Sequence, residues 1–335
     1  MVARAPAKAI LSGEHSVVYG MPALALALPL YATVTFSRGT SADQIELVLS
    51  DLNKRIELDP LQLGAFQQQC EQRYQCFVAG ELAIEAVLPN PSDLYHYALS
   101  LWPDAAESLV GYRIELTSMI EIGSGMGSSA ATVSALLTAM SGQFKQPLPI
   151  DELIELTTRC ERLQHGRSSG LDPAVCSRGG LIQFQQGVTQ SLPVALDHHW
   201  YRVDSGRPQT TTGRCTSQVR QQFGDSDIWS EFGDITRQLA LALQRRNTDQ
   251  IVTTLRHNHR LLCRIGVVPE PVQRFVAAVA QRGGAAKISG SGAISGDQGG
   301  MVLVYYPDDR DLDTAVLGYD WQKMEMDRNG AQLRN

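Results

Sequence analysis

A chain of 335 residues is long for one domain and comfortable for two, and at 43% apolar it has enough material for real cores. Its formal net charge of −6 excludes a global basic field of the kind that recruits nucleic acid or an anionic membrane, which leaves a small molecule as the expected partner. Six cysteines (Cys70, Cys76, Cys160, Cys176, Cys215, Cys263) without C-x-x-C or zinc spacing suit a reducing compartment and exclude a disulfide scaffold. The longest apolar run, Met21 to Phe36, contains Pro22 and Pro29 and falls short of the ~20 residues that span a bilayer. Lys8, Glu14 and His15 interrupt the N-terminal apolar segment, which argues against a secretory signal. The expectation is a cytoplasmic protein.

In chain order, the first thirty-five residues read as a strand pair around a turn. Val2 to Leu11 leads to Ser12-Gly13-Glu14-His15, followed by Ser16 to Tyr19 and an extended Ala25 to Phe36. A Lys, a Glu and a His beside a glycine turn would serve a polar ligand, although composition alone equally describes a solvated loop. Gln44 to Leu49 and Lys54 to Leu58 form a hairpin across Asp51-Leu52-Asn53, with Ile45, Leu47 and Leu49 on one face. Leu61 to Leu88 has helical spacing for one or two surface helices, and Ser92 is placed to cap another whose buried stripe is Leu94, Tyr97, Ala98 and Leu101.

The central stretch is Gly123-Ser124-Gly125-Met126-Gly127-Ser128-Ser129. Before it, Tyr112-Arg113-Ile114-Glu115-Leu116 alternates as a strand does, and after it Ala130 to Met140 is rich in helix formers. Three glycines two apart permit positive φ and bare the backbone amides. Those amides precede a helix N-terminus, a place that favours an anion such as phosphate. Ser128 and Ser129 are positioned either to cap the helix or to reach a phosphate-bound metal. No Lys follows the last glycine, so this is not a Walker A loop, and the G-x-G-x-G spacing is not a dinucleotide fingerprint. On its own it also fits a Gly/Ser connector.

Asp151 is expected to cap a helix that carries Ile154, Leu156, Cys160 and Leu163 and ends near His165 at Gly166-Arg167-Ser168-Ser169-Gly170. Glu161 and His165, four apart, share a face of it; a surface position would account for Glu161 as well. Asp172-Pro173 reads as an N-cap followed by Pro at the first helical position, or as a carboxylate held at a helix entrance to act on a substrate hydroxyl. Spacing does not choose between them. Gly180 to Gln185 closes the first unit as a strand, and His199 to Val203 opens a second. Helices follow at Trp229 to Gln244, Thr248 to Cys263 and Glu270 to Arg282. Strands at Ala286 to Ser289 and Met301 to Tyr306 then flank a second glycine-rich loop, Gly290 to Gly300. The class is α+β.

Three stretches resemble, in order, the three signatures of the GHMP kinases, the family of galactokinase, homoserine kinase, mevalonate kinase and phosphomevalonate kinase. They are Pro6 to Leu24, the central glycine turn, and Lys287 to Gly292. The first is similar to the mevalonate kinase version, as are Glu161-Arg162, His165-Gly166, Ser169-Gly170-Leu171-Asp172, Gly179-Gly180-Leu181, Asn258-His259 and Gly266-Val267. The resemblance runs from the start of the chain to about Tyr306.

It implies a two-domain fold, with a ribosomal-protein-S5-like unit over residues 1–190, a ferredoxin-like unit over 191–335, and the active site between them. It further implies ATP as co-substrate, cradled by Gly123, Ser124, Gly125, Met126, Gly127, Ser128 and Ser129, with Mg²⁺ held by Ser129 and Glu161. Asp172 would be the catalytic base or orienting group and Lys8 its cationic neighbour, while Lys8, Glu14, His15, Ser169 and Asp172 would surround the acceptor, mevalonate. A homodimer is left open, as are another GHMP acceptor (phosphomevalonate, a sugar or a hydroxy acid) and a non-catalytic binding protein. The chain departs from the family pattern at Glu121 (usually Pro), Met126 (commonly Leu) and Phe184 (often Tyr in mevalonate kinases), and Gly290-Ser291-Gly292-Ala293-Ile294 replaces a run of glycines.

Overall fold

Alternation builds the first sheet. β1 (Val2–Ser12) and β2 (Ala23–Arg38) pair antiparallel. Ala3, Ala5, Ala7, Ala9 and Leu11 of β1 join Leu24, Leu26 and Leu28 of β2 in the main core, while Ile10, Ala23, Ala25 and Ala27 face the opposite way into a smaller cluster. This is the period-2 pattern of a sheet covered on both faces. The β1–β2 register shifts between Pro6 and Ala7, where Pro29 of β2 cannot donate to the ladder. On one side of that irregularity β2 continues as Ala32–Arg38 beside β5, and on the other its Ala23–Leu26 half pairs with β6.

The computed structural model describes residues 1–121, 123–307 and 318–334. After β2 come β3 (Ile45–Leu49) and β4 (Lys54–Leu58), which form the expected hairpin with Ile45, Leu47 and Leu49 buried. Next are α1 (Leu63–Val78), α2 (Asp93–Ser100), the short α3 (Ala105–Ser108), β5 (Tyr112–Ser118), α4 (Ser128–Phe144), α5 (Ile150–His165), α6 (Leu171–Arg178), β6 (Leu181–Gln185) and β7 (Val188–Leu192). The second half contains β8 (Trp200–Asp204), α7 (Thr212–Phe223), α8 (Ile228–Arg245), α9 (Thr248–Arg264), α10 (Glu270–Gln281), β9 (Ala285–Ile288), β10 (Met301–Tyr305) and β11 (Trp321–Lys323), and β12 (Gln332–Arg334) follows.

Among the described residues, the first sheet runs β12-β1-β2-β5-β3-β4, with β6 and β7 added beside β2, and the second runs β11-β8-β10-β9. Helix α4 crosses β1 and β2 on the main-core face, and α6 packs on β1 from the alanine side. Small side chains at Ala25 and Ala27 allow that approach. Helices α8 to α10 cover the second sheet around Phe232, Leu262, Val276, Ile288 and Val302. The division expected between residues 190 and 191 falls within β7, and β12 pairs with β1 of the first sheet.

Several expected helix starts are corrected. Neither Ser128 nor Ser129 caps α4; its N-cap is Gly127 at φ +73, without a side-chain cap. Pro149, not Asp151, precedes α5, and Asp151 sits in the first turn paired to Arg178. Gly170, at φ +88, is the N-cap of α6, which places Asp172 inside the first turn. Ser92 makes no capping hydrogen bond; the Asp93 carboxylate accepts from the Asn90 N–H instead, at 2.9 Å.

Candidate active site

Directly paired residues of a sheet share a face, so Lys8, opposite Ala27, points with Ile10 toward α6. Its Nζ lies 3.1 Å from Asp172 Oδ2. The lysine side chain is 4% exposed and the aspartate 30%, so a buried cation is held against a carboxylate that solvent still reaches. The Lys8 N–H donates to Met126 O at 3.0 Å, tying β1 to the glycine turn. Gly127 abuts both charged groups: a Cβ there would lie 2.9 Å from Lys8 Cγ and 3.6 Å from Asp172 Oδ2. Only glycine allows that approach at this positive φ.

The two glycine-rich loops also meet. A Cβ on Gly125 would lie 3.1 Å from Ser289 O, and one on Gly290 would lie 3.3 Å from Gly125 O. Several side chains of the turn are engaged within the protein. Met126 turns its side chain into the core, and the buried Ser124 donates its hydroxyl to Glu121 O at 2.7 Å. Ser128 Oγ reaches Ile120 O at 3.5 Å.

Ser129 behaves differently, because its hydroxyl bears on Glu161. Glu161 is buried on α5, with Oε2 3.7 Å from His165 Nε2 and Oε1 without a hydrogen-bond partner among the described residues. Burial raises its carboxyl above the ordinary range, His165 and the Ser129 hydroxyl pull it down, Asp172 raises it, and Lys8 lowers it. Ser129, Asp172 and Lys8 thus all bear on the Glu161 carboxyl. A buried hydroxyl group links the helices that carry three of them: Ser134 on α4 hydrogen bonds Thr157 on α5 at 3.3 Å and Ser177 on α6 at 3.1 Å. A hydroxyl beside a buried carboxylate with one oxygen unsatisfied is a hard-oxygen donor set of the kind Mg²⁺ takes together with phosphate oxygens.

Far from being a solvated loop, the Ser12–His15 turn is nearly sealed. Glu14 Oε1 meets Lys287 Nζ at 2.5 Å, and His15 Nε2 lies 3.1 Å from Ser291 O. Burial lowers both the His15 and Lys287 pKa values; Glu14 opposes each shift, while Lys8 adds to the lowering at Lys287. Ser169 lies just ahead of α6, where its Oγ accepts from the Leu171 N–H at 3.2 Å.

Two cations missing from the expected site residues stand at its edges. Lys287 opens the second glycine-rich loop, a position the sequence could have flagged. Arg207 has its Nε 3.0 Å from where a Cβ on Gly123 would be, and no local pattern marked it.

Comparisons with known proteins bear on the family and the fold. Residues 94–180 match the family described as GHMP kinases N terminal domain. The chain is 30% identical over 310 residues to the mevalonate kinase of Thermococcus sibiricus, covering 87% of this chain and 86% of that one. It is 28% identical over 333 residues to the mevalonate kinase of Pyrococcus furiosus, covering 94% and 92%. The crystal structure of the Methanococcus jannaschii mevalonate kinase shares the fold, with a TM-score of 0.76 at 22% identity over 97% of this chain and 98% of that one. The chain is a two-domain α+β kinase that belongs to the GHMP family, within its mevalonate kinase group.

Proposed function

We propose that the protein transfers the γ-phosphoryl group of ATP to the primary hydroxyl of mevalonate, giving 5-phosphomevalonate. The observation that carries this reading is the Lys8–Asp172 pair at 3.1 Å, lodged against Gly127 at the start of α4. It brings a carboxylate and a cation to the place where a phosphate chain on the glycine turn would end.

In this reading the turn Gly123–Ser129 receives the triphosphate at the N-terminus of α4, where amides and helix dipole favour negative charge. Asp172 accepts or aligns the proton of the acceptor hydroxyl, and Lys8 offsets charge as the phosphoryl group passes. Phosphoryl transfer depends mainly on positioning and charge neutralisation, so a modest base suffices. Ser129 and Glu161 would hold Mg²⁺, which when bound neutralises phosphate oxygens. Glu14, His15 and Ser169 complete the acceptor side.

The same reading takes the units 1–190 and 191–335 as the two domains and the protein as a cytoplasmic enzyme without nucleic-acid or membrane partners. The net charge and the free cysteines support it, and among the described residues no helix is long and apolar enough to cross a membrane. The test is an acceptor screen of the purified protein with Mg-ATP over mevalonate, phosphomevalonate, galactose and homoserine. Formation of 5-phosphomevalonate at the highest kcat/KM is expected. Turnover of another alcohol alone would sink the acceptor assignment, and nucleotide binding without any turnover would sink the kinase reading.

A further inference from the structure

The pair formed by Glu14 and Lys287 is more deeply buried than the Lys8–Asp172 pair, with side chains 1% and 0% exposed. Taking two ions out of water is costly, and apolar residues would pack the same space at least as stably. The pair therefore calls for a role beyond cohesion. Lys287 Nζ reaches from β9 across to the first sheet, where it donates to Glu14 Oε1 at 2.5 Å and to Ile10 O at 3.2 Å. Two residues on, Ser289 Oγ accepts from the Ile10 N–H at 2.8 Å, and Ser291 O meets His15 Nε2 at 3.1 Å. The end of β9 and the second glycine-rich loop thus grip β1 and the Ser12–Ser16 turn from one side while Gly290 abuts Gly125 of the central turn on the other.

Glu14 Oε2 is left over. It is buried and has no hydrogen-bond partner among the described residues. A carboxylate with one oxygen fixed by an ammonium and the other unsatisfied is an oriented acceptor awaiting a donor. Left bare, the same carboxylate would repel an anionic ligand; paired, it presents a lone pair without net charge.

We propose that Lys287 is a positioning residue for the acceptor: it fixes Glu14 so that Oε2 receives a hydroxyl of the substrate, and cancels the charge of Glu14 so that a hydroxy acid, itself an anion, can lie beside it. The inference rests on the reading of the Ser12–Ser16 turn as the acceptor side of the kinase site. It assigns the second glycine-rich loop a duty toward the acceptor in addition to its contact with the phosphate turn. It also explains why a lysine occupies a position without solvent access.

The experiment compares wild type, Lys287→Met, Glu14→Gln and the double variant Glu14→Gln/Lys287→Met. Each is assayed for KM of mevalonate, KM of ATP, kcat and thermal midpoint. Lys287→Met should raise the KM for mevalonate about tenfold or more, the effect of losing one charge-assisted contact, with the KM for ATP within about twofold of wild type. It should also melt earlier, because Glu14 remains buried without its counter-charge. The double variant should recover most of the thermal midpoint, since no bare charge is left, yet keep the raised KM for mevalonate. An unchanged KM for mevalonate in Lys287→Met, an equal rise in both KM values, or a double variant that regains the wild-type KM would overturn the proposal and leave the pair a purely structural tie. Wild-type turnover of mevalonate, measured first, separates the two levels. Without it the acceptor reading falls and takes the inference with it; with it, the variants judge Lys287 alone.

Discussion

Gly127 and Lys8 stand so close that one added methyl group on the glycine would lie 2.9 Å from Lys8 Cγ. The contact binds the helix that follows the phosphate turn to the strand that carries the buried cation. Gly127→Ala should displace Lys8 and also force alanine to φ +73, a strain of about 1–3 kcal/mol. We expect a lower thermal midpoint and a loss of kcat of roughly a hundredfold, the usual consequence of an ångström-scale misplacement of reacting groups. Steady-state kinetics beside a melting curve will check it; a near-normal rate would show that Lys8 can step aside without consequence.

Asp172 lies in the first turn of α6, whose N-cap is Gly170, so it is not needed to start the helix. Asp172→Asn should therefore fold and bind nucleotide much as wild type does while kcat falls by about 10²–10⁴, the range for loss of a general acid or base. Nucleotide affinity by calorimetry and single-turnover phosphoryl transfer separate these two effects. Parallel losses in both would return Asp172 to a structural role.

Glu161 tests the metal assignment. Its carboxyl is raised by burial, so in metal-free protein its contribution to stability is fully present below the ordinary carboxyl range, near pH 4.5, and is lost as pH rises through the higher folded value. Glu161→Gln should accordingly stabilise the metal-free protein at pH 7 relative to wild type, with little gain at pH 4. It should also raise the Mg²⁺ concentration needed for half-maximal rate by about tenfold or more. Melting curves in EDTA at the two pH values and a magnesium titration of the rate are the readouts. Unchanged metal dependence would remove Glu161 from the metal site.

Acid should act on the fold through His96 and His259, both held down to about 4, in each case first by burial. His96 stacks on Phe66 with ring centroids 3.7 Å apart. For a depressed histidine the stabilising contribution is complete above the unfolded value near 6.5 and is lost as pH falls through the folded value. The thermal midpoint should thus decline between about pH 6.5 and 4, and His96→Gln should flatten part of that slope. A slope unchanged by the substitution would mean that His96 does not take up a proton on unfolding.

What the sequence made legible follows from the range of the forces involved. The hairpin of Ile45, Leu47 and Leu49 and the strand–turn–helix around Gly123–Ser129 rest on local periodicity and on glycine, and both are present. The start of α6 is misplaced in the sequence because Asp-Pro at 172–173 imitates a cap. Gly170 reverses the chain two residues earlier, and a first-turn proline loses no intrahelical hydrogen bond. Trp321–Lys323 and Gln332–Arg334 are three residues each, too short to show a period, and α7 begins beyond Thr211 in a stretch without an apolar stripe long enough to announce it. The Glu14–Lys287 pair could not be paired from local pattern, because 273 positions separate its members. Motif resemblance brought the two loops into one site; only the fold shows that they touch.

After leaving the second sheet at β11, the chain passes Asp327, whose Oδ1 accepts from the Asn329 and Gly330 N–H groups and whose Oδ2 accepts from Tyr31 Oη. It then lays β12 along the outer side of β1. The strand that bears Lys8 is thus flanked, at Val2–Arg4, by residues more than three hundred positions further along the chain. Until Gln332–Arg334 emerge, β1 would offer nascent chains an open edge for mispairing. Loss of β12 would therefore be felt far away in sequence, in the strand that carries the buried cation.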